Sequence, residues 1–333
     1  MMPPSKSPRS VFVTRHIHEP ALALIRAAAE EVEVWPLDSA PPKSVLIDRA
    51  SRVDGILCLL TDPMDAEVIA AAGENLRVIS QMAVGFDNID IQRATMHKIP
   101  VGHTPGVLTE TTADMAWALL MAAARRVAEA DRQVRQGIWH PWGPHVLTGL
   151  DVFGATLGII GMGRIGQAVA RRSKGFDMTV LYTDIQRRPD LETELGIQFV
   201  ELDELLRTAD FISLHSYLSA ENFHMIGALE FEKMKPTAIL INTARGGLVD
   251  PVALTEALQQ GRIAAAGLDV FEPEPIPADH PLLSLENVVI APHIASASRQ
   301  TRLRMAMMAA ENLIAGLNGE RLPNCANPSV YPD

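Results

Sequence analysis

Arg245, Glu274 and His293 each fall just beyond a β-branched run in the second half of the chain. Arg245 follows the run 238–242 through Thr243 and Ala244. Glu274 comes five residues after Asp269 in the run 264–270, and His293 follows 287–291 through Pro292. Histidine titrates near neutrality and can give or take a proton. A glutamate beside it favours the imidazolium and fixes the ring. An arginine fork binds a carboxylate through two parallel hydrogen bonds and can polarise a carbonyl. The three types together suit reduction of a 2-oxo acid, whose carbonyl oxygen must gain a proton as hydride reaches the carbon. Each also has a plain reading: Arg245 as a surface residue, Glu274 in a solvated acidic loop, His293 as a neutral ring satisfied by backbone. No Ser/His/Asp, metal-ligand or P-loop constellation competes, and no metal is expected.

The hydride needs a carrier, and Gly161-Met162-Gly163-Arg164-Ile165-Gly166 is a GxGxxG placed between the apolar run 157–160 and a helix expected over 167–173. In that context the first glycine makes the turn, the second lets backbone approach a pyrophosphate, and the third lets helix and sheet pack closely. The N–H groups at the helix start then face the phosphates. A plain strand–turn–helix is the alternative. Asp184 closes the next strand 18 residues after Gly166, where a carboxylate can accept from both ribose hydroxyls and repel a 2′-phosphate. This favours NAD(H), while Arg187 and Arg188 just downstream leave NADP(H) open. Asp269 suits the nicotinamide end, as an acceptor for the carboxamide.

Strand-like runs at 11–14, 32–35, 55–60, 77–82 and 100–103 alternate with helical stretches such as 21–31 and 66–72. A long helix is expected over 111–137. Six further strands follow, at 157–160, 179–182, 210–214, 238–242, 264–270 and 287–291. Strands alternating with helices make an α/β protein with a doubly wound parallel sheet, which binds ligands beyond the carboxyl ends of its strands. The last helix, 299–317, returns to the first domain with Met305, Met307 and Met308 as core filler. Residues 1–106 with 298–333 then form one domain and 107–297 the other. Two crossings near Pro105 and Ser296 make a hinge beside a ligand-enclosing cleft.

The 333 residues suffice for two domains, and 47% hydrophobic with 21% charged residues is globular composition. A net charge of −11 argues against nucleic acid or an anionic membrane as partner. Two cysteines, Cys58 and Cys325, exclude a disulfide framework. The polar segment 1–10 has no apolar stretch of a signal peptide, and the most apolar stretch, 115–124, falls short of the about 20 residues a membrane span needs. A soluble, cytoplasmic protein is expected.

Taken together the motifs resemble the D-isomer-specific 2-hydroxyacid dehydrogenase family, and within it the glyoxylate/hydroxypyruvate reductases. The resemblance runs from Val11-Phe-Val-Thr-Arg15 through Leu59-Leu-Thr-Asp62, Val84-Gly-Phe-Asp-Asn88, Thr104-Pro-Gly-Val-Leu-Thr109 and the glycine sextet. It continues through Asn242-Thr-Ala-Arg-Gly246, Leu268-Asp-Val-Phe-Glu-Pro-Glu274 and Pro292-His293. It implies a Rossmann-type cofactor domain, a flavodoxin-like substrate domain, and Arg245, Glu274 and His293 as the catalytic set with His293 the acid/base. It implies that backbone N–H groups of Val84 and Gly85 hold the substrate carboxylate. Cofactor contacts would fall on Thr112, Arg164, Ile165, Asp184, Tyr217, Thr243, Ala244, Arg245 and Asp269, with Gly161, Gly163 and Gly166. The family forms homodimers, and Trp139-His-Pro-Trp142 lies where that branch reaches toward the partner's active site; interface packing alone is the other reading of those tryptophans.

Three positions depart from the family pattern. Ser216-Tyr217-Leu218 stands where Val-Pro-Leu is common, at the adenine or ribose pocket. Val84 replaces the lysine of the phosphite-oxidising branch, and Ile294-Ala-Ser296 replaces Ile-Gly-Ser. The leading expectation is a small 2-oxo acid exchanged with its 2-hydroxy acid, of the glyoxylate/hydroxypyruvate type. The alternatives are a bulkier 2-oxo acid such as 2-ketogluconate, or a non-catalytic NAD(H)-sensing protein of the same fold.

Overall fold

Strands that are apolar along their whole length need cover on both faces, which a parallel sheet with flanking helices provides. The computed structural model describes residues 9–332, so most of the polar segment 1–10 lies outside the described residues. The chain divides into two units, one of residues through Leu108 together with those from Ser298 onward, the other Thr109–Ala297.

The first unit holds β1 (Ser10–Val13), β2 (Glu31–Val34), β3 (Gly55–Cys58), β4 (Val78–Gln81) and β5 (Val101–Gly102), all parallel in the order β2-β1-β3-β4-β5. This is the flavodoxin-like order that the resemblance implies. Every residue of β3 and β4 is buried, whereas β2, Glu-Val-Glu-Val, alternates between exposed and half-buried at the sheet edge. The helix Arg299–Asn318 packs across β3 and β4. Ser80 Oγ donates to Ala309 O at 2.7 Å, and Asn312 Nδ2 to His103 O at 2.9 Å. Of the three methionines expected as core filler, only Met305 is fully buried; Met307 and Met308 are half-buried. Gly316 permits the close approach, since a Cβ there would lie 2.4 Å from Val78 Cβ. Gly316→Val is expected to cost about 1–3 kcal/mol by overpacking, read as a lower urea midpoint at unchanged slope.

The second unit is a seven-stranded parallel sheet. Its strands are β6 (Thr156–Ile160), β7 (Thr179–Thr183), β8 (Gln198–Phe199), β9 (Phe211–Leu214), β10 (Ile239–Asn242), β11 (Ala265–Leu268) and β12 (Val288–Ile290). The order β12-β11-β10-β9-β6-β7-β8 runs outward from β6 and then restarts on its other side at β9. Six strands were expected; the seventh, β8, has only two residues and no pattern of its own. Side chains alternate faces along the strands. Ile239 and Ile241 join the core under Trp117 and Leu119, while Leu240 joins Leu205 and Leu254 on the opposite face.

The single helix expected over 111–137 is two, Thr109–Ala124 and Val127–Arg135, separated by Arg126 at φ 52°. No glycine or proline marks the break. Its cause is tertiary: Leu150 N donates to Ala124 O at 2.8 Å and ends the first helix there. Arg126 then pairs with Glu129 through two bonds of 2.7 Å. Among the described residues no helix is long and apolar enough to cross a membrane.

Candidate active site

The restart of the sheet between β6 and β9 is where a doubly wound fold binds its ligand, and the glycine sextet lies there. Gly161 sits at φ 97°, and a Cβ on it would come within 2.7 Å of the His215 and Ser216 backbone. A Cβ on Gly166 would lie 2.1 Å from Gly161 O, so turn and helix pack directly. Nothing stands within 4 Å of the Cβ position at Gly163, which leaves the backbone open to a ligand. The helix Arg164–Ser173, three residues longer at its start than expected, begins without a side-chain cap. Its first N–H groups are therefore available to an anion.

Asp184 is held over this turn, accepting from Met162 N at 2.6 Å and from Gln186 N at 3.1 Å. The two arginines downstream are committed elsewhere. Arg187 grips Glu192 through two bonds of 2.8 Å, and Arg188 grips Asp190 at 3.0 and 2.7 Å. Beyond β10, Thr243 Oγ1 is buried and has no hydrogen-bond partner among the described residues. A hydroxyl orphaned there, with the open glycine turn and the uncapped helix, fits a dinucleotide. Thr112 is buried on the helix Thr109–Ala124, and Ala244 N bonds Asn242 Oδ1 at 3.0 Å. Ile165 is half-buried, Arg164 exposed, and Tyr217 68% exposed.

His293 and Glu274 meet at the carboxyl ends of the strands, with Nδ1 2.5 Å from Oε1. A carboxylate only accepts, so Nδ1 carries the proton and Nε2 is the ring atom left to face a substrate. Burial pushes the Glu274 carboxyl up, but the bond to His293 and its charge outweigh it, helped by Phe271 N–H and the Arg245 charge. The net effect holds Glu274 below the usual carboxylate range. His215, beyond β9, is no rival acid: burial pushes it down to about 3, with Nε2 2.8 Å from Ser213 Oγ.

Two further residues support this pair. Asp269, which the sequence places at the nicotinamide end, is fully buried and accepts from Ile294 N at 2.8 Å and Ala295 N at 2.7 Å. It thereby anchors the turn that holds His293 at φ 54°, a left-handed conformation uncommon for a side-chain-bearing residue. Burial pushes the Asp269 carboxyl up, against the pull of those two N–H groups. The second support is His224, whose Nε2 lies 2.7 Å from Glu272 Oε2 and whose N–H donates to Gly247 O at 2.7 Å. It ties the Arg245 loop to the Glu274 loop. Arg245 itself donates from Nη1 to Ala244 O at 2.7 Å. Neither His224 nor Glu272 carries a local signal beyond Glu272 standing two residues before Glu274.

In the first unit, the loop after β4 turns three successive carbonyls inward. Ala83 O accepts from Thr104 N at 2.8 Å, Val84 O from His103 Nδ1 at 3.0 Å, and Gly85 O from Gln81 Nε2 at 2.9 Å. The N–H groups of Val84, Gly85 and Phe86 have no acceptor among the described residues. Successive N–H groups of this kind are the donors from which an anion-binding nest can be built. The sequence points to Val84 and Gly85; Phe86 is a third N–H of the same kind. Trp139 and Trp142 are 77% and 90% exposed.

Residues 117–295 match the family described as "D-isomer specific 2-hydroxyacid dehydrogenase, NAD binding domain". The glyoxylate reductase of Korarchaeum cryptofilum is 58% identical over 321 residues, 96% of this chain and 96% of that one. A solved structure from Thermus thermophilus superposes with a TM-score of 0.89 at 47% identity, covering 95% of this chain and 99% of that one. The NADPH-dependent glyoxylate/hydroxypyruvate reductase of Sinorhizobium meliloti, in complex with NADP and malonate, gives 0.84 at 31% identity, covering 98% and 99%.

Proposed function

The chain belongs to the D-isomer specific 2-hydroxyacid dehydrogenase family, and from that premise we propose that it reduces glyoxylate and hydroxypyruvate to the corresponding 2-hydroxy acids. It is an oxidoreductase acting on CH–OH donors, with a nicotinamide cofactor. The observation that carries the substrate chemistry is the His293–Glu274 pair, which leaves one ring nitrogen free to protonate a carbonyl oxygen. When bound, the nicotinamide supplies the hydride. Gly161, Gly163 and the first turn of Arg164–Ser173 would hold the pyrophosphate, and Asp184 would take the ribose hydroxyls. The Thr243 hydroxyl would find its partner on the cofactor. In its doubly protonated form His293 gives the Nε2 proton to the carbonyl oxygen and is left neutral with Nδ1–H on Glu274, which fixes the ring throughout, while Arg245 pairs with the carboxylate and polarises the carbonyl. The unpaired N–H groups from Val84 to Phe86 take the substrate's carboxylate.

The test is oxidation of NADH and NADPH by purified protein, with glyoxylate, hydroxypyruvate, pyruvate and 2-ketogluconate in parallel. Turnover confined to 2-ketogluconate would transfer the assignment to bulkier acids. No turnover with any of them, in protein that binds NADH, would leave a nucleotide sensor.

For the cofactor we infer a preference for NADH. A 2′-phosphate needs a free cation, and Arg187 and Arg188 are each gripped by a neighbouring carboxylate while the Asp184 side chain is held over the glycine turn. Asp184→Ala is expected to raise kcat/KM with NADPH relative to NADH by about 10–100-fold, since one repelled charge is worth about 1–3 kcal/mol. An unchanged ratio in steady-state assays would remove Asp184 from the discrimination.

Trp139, Trp142 and the groove of ≈ 290 Å³ that they line with Val134, Ile138 and Val146 support assembly with a second copy of the chain. Light scattering of the parent chain should give the mass of a dimer, and of Trp139→Asp a monomer.

A further inference from the structure

We infer that His103 is a positioning residue for substrate: it aims the Gly85 N–H at the carboxylate by holding the carbonyl of the same peptide from behind. The inference rests on the reading that the N–H groups of Val84 to Phe86 receive that carboxylate. In a trans peptide the C=O of one residue and the N–H of the next point in opposite directions. A donor fixed on Val84 O therefore sets the direction of Gly85 N–H, and polarises it.

His103 Nδ1 lies 3.0 Å from Val84 O, and because a carbonyl oxygen only accepts, Nδ1 carries the proton. The ring is itself immobilised. Its residue's N–H donates to Asn324 O at 3.1 Å, its carbonyl accepts from Asn312 Nδ2, and the Phe86 ring meets it in a T-shaped contact with centroids 5.6 Å apart. The peptides on either side are held by groups with other duties in the fold. Ala83 O is taken by the backbone of Thr104, and Gly85 O by Gln81, whose amide also donates to Asn88 Oδ1. The central peptide of the nest depends on the His103 side chain alone among the described residues. Removing that donor should leave the loop in place, held from both sides, with its middle N–H free to turn away.

Two substitutions separate the donor from the ring. His103→Phe keeps an aromatic ring for Phe86 and removes the donor; His103→Asn keeps an N–H donor near the Nδ1 position and removes the ring. If His103 positions the nest, His103→Phe raises KM for glyoxylate about tenfold, the loss of one hydrogen bond. It leaves kcat within about twofold and NADH affinity unchanged, and His103→Asn restores KM. A ring that only fills space would give the reverse order and sink the inference. Oxalate as a dicarboxylate probe tells the two levels apart. Amide NMR signals of Val84, Gly85 and Phe86 in the parent protein should shift on adding oxalate. Shifts there, with oxalate binding as tight in His103→Phe as in the parent, would overturn the role of His103 alone. No shift at those amides would overturn the nest reading and the His103 inference with it.

Discussion

His293→Ala is expected to lower kcat for glyoxylate reduction by about 10²–10⁴-fold, the worth of a positioned general acid, while NADH still binds. The loss follows from geometry. Nδ1–H is committed to Glu274, so Nε2 is the atom that supplies the proton, and His215 cannot replace it because burial holds that ring neutral. Cofactor binding should survive, because the glycine turn and Asp184 do not involve the imidazole. The turn around residue 293 is held through its backbone by Asp269, not through the ring. Stopped-flow turnover and NADH fluorescence titration on the same preparation read both halves. Turnover like the parent's would remove His293 from the chemistry. Loss of NADH binding would mean that the ring supports the loop.

What the sequence disclosed about this site was what local pattern can carry. The glycine sextet is legible because its pattern falls within six consecutive residues, and the structure shows a close backbone approach at Gly161 and at Gly166 and open space at Gly163. Arg245, Glu274 and His293 stand out as candidates because a doubly wound sheet puts its ligands at strand ends, and strand ends are few; the structure brings His293 and Glu274 into contact there. The helix break at Arg126 was hidden because its cause, Leu150 N on Ala124 O, comes from beyond the helix. The same holds for the supports of the site. His224 reaches Glu272 across 48 residues, His103 reaches Val84 across 19, and Asn312 reaches His103 across 209. Such bonds join a side chain to whatever the fold brings near, so neither composition nor periodicity announces them. Asp269 shows another limit: its place at a strand end suggests a ligand contact, and nothing local announces that each of its oxygens also accepts an N–H from the backbone after His293.

Glu274 supplies the second large effect, and its substitutions divide orientation from charge. Gln at this position can still accept from Nδ1–H through its amide oxygen but carries no charge; Ala does neither. Glu274→Ala should lower kcat by about 10²–10⁴-fold, as removing the orienting carboxylate does in other histidine-dependent sites, with Glu274→Gln between it and the parent. Because the two residues act as one unit, the Glu274→Ala/His293→Ala double variant should be no slower than His293→Ala alone. Losses that multiplied would show two independent contributions and dissolve the pair. A stability measurement gives the same carboxylate a second reading. The folded state depresses its pKa, so its contribution is present above the ordinary glutamate range and fades as pH falls through the depressed value. The urea midpoints of the parent and Glu274→Gln should therefore differ most near neutrality and converge in acid. A constant difference across that range would mean that Glu274 holds its loop by shape and hydrogen bonding, with its charge reserved for the imidazolium.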